Sequence, residues 1–268
     1  MNQNIVSEEL DFVPTEMFHG QMDGGVLLLC DHARNDMPFW LKNLGLPKSQ
    51  LDRHIGYDIG ARELTLELSK RLQAPAVLTT YSRLLIDPNR GEDDPTLVMR
   101  LSDGAVIPGN AAIDAEERRQ RIETYHRPYH DLVDGTLDEM MALAPPPVII
   151  SIHSFTPVWR GEKRPWHATV LWDLDERAVR PVLDGLGNHP DLCVADNEPY
   201  DGALKNDTIY RHATRRGLAN ALLEVRQDLI SDDAGVNNWA NILTPILNQV
   251  REEPRCRTQA RYASRCDM

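Results

Sequence analysis

Titratable residues stand at or near the ends of three apolar runs. Val26–Cys30 leads into Asp31 and His32, Val148–Ile152 leads into His153, and Ala221–Val225 contains Glu224. Short apolar runs bounded by turn residues have the pattern of strands buried on both faces, as in a parallel sheet. In open α/β sheets, ligands collect at the carboxyl edge of such strands. A titratable side chain placed there needs a partner, because burying it unpaired is costly. Two imidazoles from separate strands can share one Zn²⁺ and leave a coordination position for water. The alternative is a set of hydrogen-bonded core histidines, which asks for no metal.

The elements that must position these residues can be read from the rest of the chain. Leu64, Leu68 and Leu72 mark one face of a helix over Ile59–Leu72. Ala76–Thr80 reads as a strand leading into Tyr81–Arg90, and Glu92–Asn110, rich in Gly, Pro and Asp, reads as a long loop. Asp114 with Glu117 three residues on predicts a capped helix start. Ile122, Tyr125, Tyr129, Leu132 and Val133 continue its apolar face, Pro128 should kink or split it, and Ala144–Pro147 ends it. Ala168–Leu174 is a further candidate strand and Glu176–Leu186 a helix. This alternation predicts an α/β fold with a mostly parallel central sheet flanked by helices, one domain over residues 1–268. The first 24 residues form an N-terminal extension expected to wrap the surface. The tail 251–268, with five arginines from Arg251 to Arg265, reads as a solvated end.

A hydrophobic content of 41% is enough for a sizeable core, and a formal net charge of -12 argues against nucleic acid, which calls for a basic face. Local arginines still allow an anionic substrate. Met1–Pro14 carries Glu8, Glu9 and Asp11 and lacks the basic stretch and apolar core of a secretory signal, and no apolar run is long enough for a membrane span. Cys30, Cys193, Cys256 and Cys266 form no C-x-x-C pair, so reduced thiols in the cytoplasm are expected. A homo-oligomer is left open.

Five segments carry a family resemblance. Cys30–Pro38 contains His-Ala-x-Asn-x-x-Pro, and His54–Ala61 contains Asp-Ile-Gly-Ala. Ser82–Arg90 reads Ser-Arg…Asp-x-Asn-Arg, His153–Pro157 forms a second histidine motif, and Leu223–Leu229 reads Glu-x-Arg-x-Asp-Leu. In this order, from about residue 26 to 230, they resemble the N-formylglutamate amidohydrolase family, whose fold is similar to that of zinc carboxypeptidases, a three-layer architecture. The resemblance implies a zinc enzyme that cleaves a small N-acyl amino acid, with N-formyl-L-glutamate as the named substrate. Close alternatives are another N-acyl amino acid or a carboxypeptidase-like reaction, and a rival of another class is a non-catalytic metal-binding module. His32 and His153 would be metal ligands. The third is Asp58 or Asn35, with Asp58 preferred because an amide oxygen is the poorer zinc ligand; by itself Asp58 also reads as a helix N-cap. Asp31 could orient a ligating imidazole. Glu224 would be the general base, although it could instead pair with Arg226, and Arg83 would help hold the developing oxyanion. Asn89 and Arg90 would take the substrate's α-carboxylate, for which a guanidinium fork is well matched.

Other features give less. His126 and His130 have the i,i+4 spacing of a metal pair, but Pro128 intervenes and the Glu of a His-Glu-x-x-His pattern is missing. They read as helix-face residues, with His130 near the pocket. Asn197–Gly202 is turn-rich and either covers the substrate or is a surface turn. Neither Ser154 nor Cys30 sits in a nucleophile signature.

Overall fold

A computed structural model describes residues 12–268. Its centre is a sheet of seven strands: β1 (Thr15–Phe18), β2 (Val26–Cys30), β3 (Ala76–Thr79), β4 (Val148–Phe155), β5 (Ala168–Leu171), β6 (Val194–Asp196) and β7 (Asn220–Arg226). They lie in the order β1-β3-β2-β4-β7-β5-β6. The pairs β3–β2, β2–β4, β4–β7 and β5–β6 are parallel, while β1–β3 and β7–β5 are antiparallel. The sheet is thus mostly parallel, as expected. All five residues of β2 are buried, which fits its unbroken apolar sequence.

Of five longer helices, α1 (Ala61–Leu72), α2 (Ala115–Arg121), α3 (Arg127–Leu143), α4 (Val179–Gly187) and α5 (Asp233–Glu252), all but α2 cover the sheet. On one face Leu28, Ile150, Ile152 and Leu223 pack with Leu64 and Leu68 of α1, Val182 of α4 and Trp239 and Leu243 of α5. On the other, Leu27, Leu29, Ile149 and Leu222 meet Tyr129, Val133 and Leu137 of α3. The alternation of side chains along each strand supplies these two apolar faces and hence three layers. Leu68 is fully buried, so Leu68→Ala should cost about 2–5 kcal/mol of stability, read from urea unfolding midpoints. A loss under about 0.5 kcal/mol, the usual range for a surface change, would contradict its place in this core.

Several elements differ from expectation. Asp114 does cap α2, its side chain accepting from the Glu117 backbone N–H at 2.8 Å. The expected kink at Pro128 takes the form of a π-helical turn over Ile122–His126, after which Pro128 falls in the first turn of α3, where its missing N–H breaks no helical bond. The strand expected over Ala168–Leu174 stops at Leu171, and the helix expected from Glu176 begins at Val179. Thr15–Phe18 does not simply wrap the surface: it pairs with β3 as the sheet's edge. The earlier part of the N-terminal extension, 1–11, lies outside the described residues. The tail is docked rather than solvated. Cys256 is fully buried, Arg257 donates to the Pro145 and Pro146 carbonyls at 3.0 Å each, and Arg265 pairs with Asp173 and Asp201. Its guanidiniums find fixed acceptors, which sequence spacing alone does not reveal. Among the described residues no helix is long and apolar enough to cross a membrane.

Candidate metal centre and active site

Register builds the first half of the site. β4 and β7 run parallel with His153 directly opposite Glu224, so both side chains leave the sheet on the same face and at the same level. On β2, Asp31 continues the alternation of Leu27 and Leu29, and His32 follows it past the strand end. Asp58 comes from the turn before α1, where its backbone N–H donates to the His32 carbonyl at 3.0 Å. The N-cap position of α1 belongs to Gly60, at φ +79, where an added Cβ would lie 2.1 Å from the Ile230 carbonyl oxygen. Only glycine fits that approach. Asp58 is therefore not the cap, and its carboxylate turns into the cleft.

The two imidazoles point the same way. Nδ1 of His153 lies 2.9 Å and Nδ1 of His32 3.4 Å from Asp58 Oδ2. The far nitrogens are already taken: His153 Nε2 is 2.9 Å from Asp31 Oδ2, and His32 Nε2 is 2.7 Å from Asp87 Oδ1. One donor atom from each of His32, Asp58 and His153 falls within 4.8 Å of the other two, which makes a possible metal site. Asn35 is turned away, donating to the Leu51 carbonyl and to Asp52.

Buried carboxylates surround this trio. Asp31 accepts from Tyr129 Oη, Ser151 Oγ and Thr208 Oγ1 as well as from His153. Asp87 accepts from Arg83 and the Asn89 backbone N–H as well as from His32. Arg83 bridges Asp87 at 2.7 Å and Asp58 at 3.6 Å. Burial works against ionising Asp58, yet the two imidazoles outweigh it and hold the carboxyl well below its usual range. The same contest leaves Asp31 low beside His153, and Asp87 low beside Arg83 and His32. Burial opposes charge on His153 too, but Asp31 and Asp58 lift it to about 10. Three buried carboxylates held low around one guanidinium and a charged imidazole make a site where a cation is well matched. The donor set of two imidazole nitrogens and a carboxylate oxygen, each imidazole held from behind, suits zinc.

Glu224 is 8% exposed, and its Oε2 has no hydrogen-bond partner among the described residues. Arg226 pairs with Asp228 instead. Burial pushes Glu224 up to about 7. A cavity of about 380 Å³ opens over these groups, large enough for a small amino-acid derivative. His32, Asp58, Arg83, Asn89, Arg90, His153 and Glu224 all line it, as do Tyr200–Leu204, so the turn-rich segment is a wall of the cavity. Arg90 has no carboxylate partner among the described residues; it donates to Thr96 Oγ1 and to the Asn89 carbonyl. His126 and His130 are fully buried and do not line the cavity. Ser154 Oγ donates to the Ile59 carbonyl, and burial raises the Cys30 thiol well above its usual range, so neither is an activated nucleophile.

Sequence reasoning assigns no role to Asp87 or Asp207. Asp87 forms the Asx-turn that its Asp-Pro-Asn sequence announces, and the same carboxylate reaches His32 across 55 residues. Asp207 accepts from the Tyr210 backbone N–H at 2.7 Å, lines the cavity and is pushed by burial up to about 7.

Titratable side chains massed at the carboxyl edge of a mostly parallel sheet make an α/β fold with a candidate active site at the edge where such folds bind ligands. Residues 24–231 match the family described as N-formylglutamate amidohydrolase, and the chain belongs to that family. It is accordingly an amidohydrolase. Among solved structures, a gene product of Agrobacterium tumefaciens is 30% identical, covering 92% of this chain and 98% of its own, with a TM-score of 0.86. An N-formylglutamate amidohydrolase from Ralstonia eutropha JMP134 is 18% identical, covering 91% of this chain and 99% of its own, with a TM-score of 0.65. A search of curated proteins finds no match.

Proposed function

We propose that this amidohydrolase cleaves N-formyl-L-glutamate to formate and glutamate at a zinc centre held by His32, Asp58 and His153. One observation carries the reading: both Nδ1 atoms converge on Asp58 Oδ2 while both Nε2 atoms are bound to buried carboxylates. A zinc ion there would polarise the acyl carbonyl and make water easier to deprotonate. Glu224 takes the proton from the attacking water and passes it to the departing amine, for which its unpartnered oxygen and its position opposite His153 suit it. Arg83, fixed between Asp58 and Asp87, holds the developing oxyanion. Asn89 and Arg90 bind the α-carboxylate, Arg90 having no carboxylate of its own to satisfy. The four free cysteines suit a reducing cytoplasm.

The test is formate release from N-formyl-L-glutamate, set beside N-acetylglutamate, N-formylleucine and a short peptide with a free carboxy terminus. The formyl-glutamate should give the highest kcat/KM. A higher value for any of the others would move the assignment to that substrate. The buried carboxylates behind the imidazoles carry their own expectation. Asp87→Asn frees His32 from its orienting acceptor and should weaken zinc binding about 10–100-fold, measured by competition with a chromophoric chelator. Unchanged affinity would remove Asp87 from that role.

A further inference from the structure

A second histidine cluster lies behind the Pro88–Arg90 segment and takes no part in the chemistry above. His126, His130 and His212 are all fully buried. His212 Nδ1 lies 2.9 Å from Asp134 Oδ1, and His212 Nε2 lies 2.7 Å from His130 Nδ1. His130 Nε2 is 3.1 Å from the Pro88 carbonyl and 3.3 Å from His126 Nε2, which is itself 2.9 Å from the Arg90 carbonyl. His126 and His212 sit in the two π-helical turns, Ile122–His126 and Tyr210–Thr214, a distortion that gathers at functional sites. The line runs from a part-exposed carboxylate to the backbone that carries Asn89 and Arg90.

Its protons can be counted. Between Asp134 and the Pro88 carbonyl there are three contacts, and both ends only accept, so three protons are needed. Two neutral imidazoles carry two. With two, His212 donates to Asp134, His130 Nδ1 donates to His212, and His130 Nε2 faces the Pro88 carbonyl without a proton. The His126 Nε2–H must then divide itself between His130 and the Arg90 carbonyl. His126 Nδ1 has no partner among the described residues, in keeping with a single proton on Nε2. A third proton on the line turns His130 Nε2 into a donor to Pro88 and leaves His126 to Arg90 alone.

We propose that His126, His130, His212 and Asp134 are positioning residues that hold the substrate-carboxylate segment, His130 through the Pro88 carbonyl and His126 through the Arg90 carbonyl, more firmly when the line carries its third proton. This rests on the assignment of Asn89 and Arg90 to the substrate carboxylate. Charged groups face the cluster from every side. Burial, Arg211 and the neighbouring imidazoles oppose a positive ring, while Asp134, Glu92, Asp87 and Asp31 favour one, and Arg216 competes for Asp134. Burial dominates, so the third proton enters below the ordinary histidine range.

The experiment follows histidine ring nitrogens by ¹⁵N NMR from pH 4.5 to 8.5, with KM and kcat for N-formyl-L-glutamate measured in parallel. Wild type is compared with Asp134→Asn, a part-exposed position whose replacement the fold should tolerate. On acidification the rings of His130 and His212 should gain one shared proton while KM falls about two- to tenfold, the worth of one hydrogen bond to the segment. In D134N both inflections should move together to lower pH. Asp207 and Glu224 line the same cavity, and their contributions are common to both proteins. Ring shifts that stay constant across the range would overturn the proton count. A ring titration accompanied by a KM profile that D134N leaves in place would overturn the positioning role. Failure to hydrolyse N-formyl-L-glutamate would instead count against the function, and calorimetric binding of L-glutamate then replaces KM in the same comparison.

Discussion

Glu224→Gln is expected to lower kcat by about 10²–10⁴-fold, the usual contribution of a positioned acid–base group, while KM and zinc content stay within about twofold. The glutamine is isosteric and keeps the space beside His153, so the loss reports proton transfer rather than collapse. Burial sets Glu224 at about 7 in the metal-free protein, and a nearby divalent cation would lower it. A base must be deprotonated to work, so kcat/KM should fall as pH drops through that value, with the limb at or below about 7. The variant should lose this limb. A glutamine enzyme that retained more than a tenth of wild-type turnover would sink the assignment.

Chelation has the second large effect. Removing the metal should abolish turnover, zinc should restore it, and stability should change in a pH-dependent way. In the metal-free protein His153 is lifted from 6.5 to about 10 by Asp31 and Asp58 acting against burial. The stability this confers is complete below about 6.5 and is lost as pH rises towards 10. Asp31, Asp58 and Asp87 are held low, so their contribution is present above about 4 and is lost as pH falls further. On the proposed reading, zinc would take the place of the proton that His153 Nδ1 shares with Asp58. The loaded protein should therefore keep its stability on the alkaline side, and the gap in Tm between loaded and stripped protein should widen from pH 6.5 to 10. At free zinc of a hundred times Kd the binding itself adds about 2.7 kcal/mol. A gap that narrows with rising pH would contradict the ligand set.

The parts of this architecture legible in the sequence are those with strong local causes. β2, β3, β4 and β7 are short apolar runs, because strands buried on both faces must be, and α1 shows its leucines on one face. β1 and β6 were hidden: Thr15–Phe18 is an edge strand of four half-buried residues, and Val194–Asp196 has three residues only. α5 buries Val236, Trp239, Ala240, Leu243, Ile246, Leu247 and Val250 at helical spacing, with Pro245 inside, and its pattern was open to reading. At the site, strand ends announced His32, His153 and Glu224. The support behind them came from farther away: Asp87 is 55 residues from the histidine it holds, and Thr208 is 177 residues from Asp31. Such pairings depend on strand order, which no local pattern encodes.

The facing of His153 and Glu224 across paired strands carries an engineering consequence. Their separation is set by the backbone ladder of the sheet, whereas Arg90 and Tyr200–Leu204 reach the cavity from connecting segments. On the proposed roles, retargeting the enzyme to a bulkier acyl group or a different amino acid can therefore proceed by exchanging the Tyr200–Leu204 segment, with the sheet-borne metal ligand and base left as an untouched chassis.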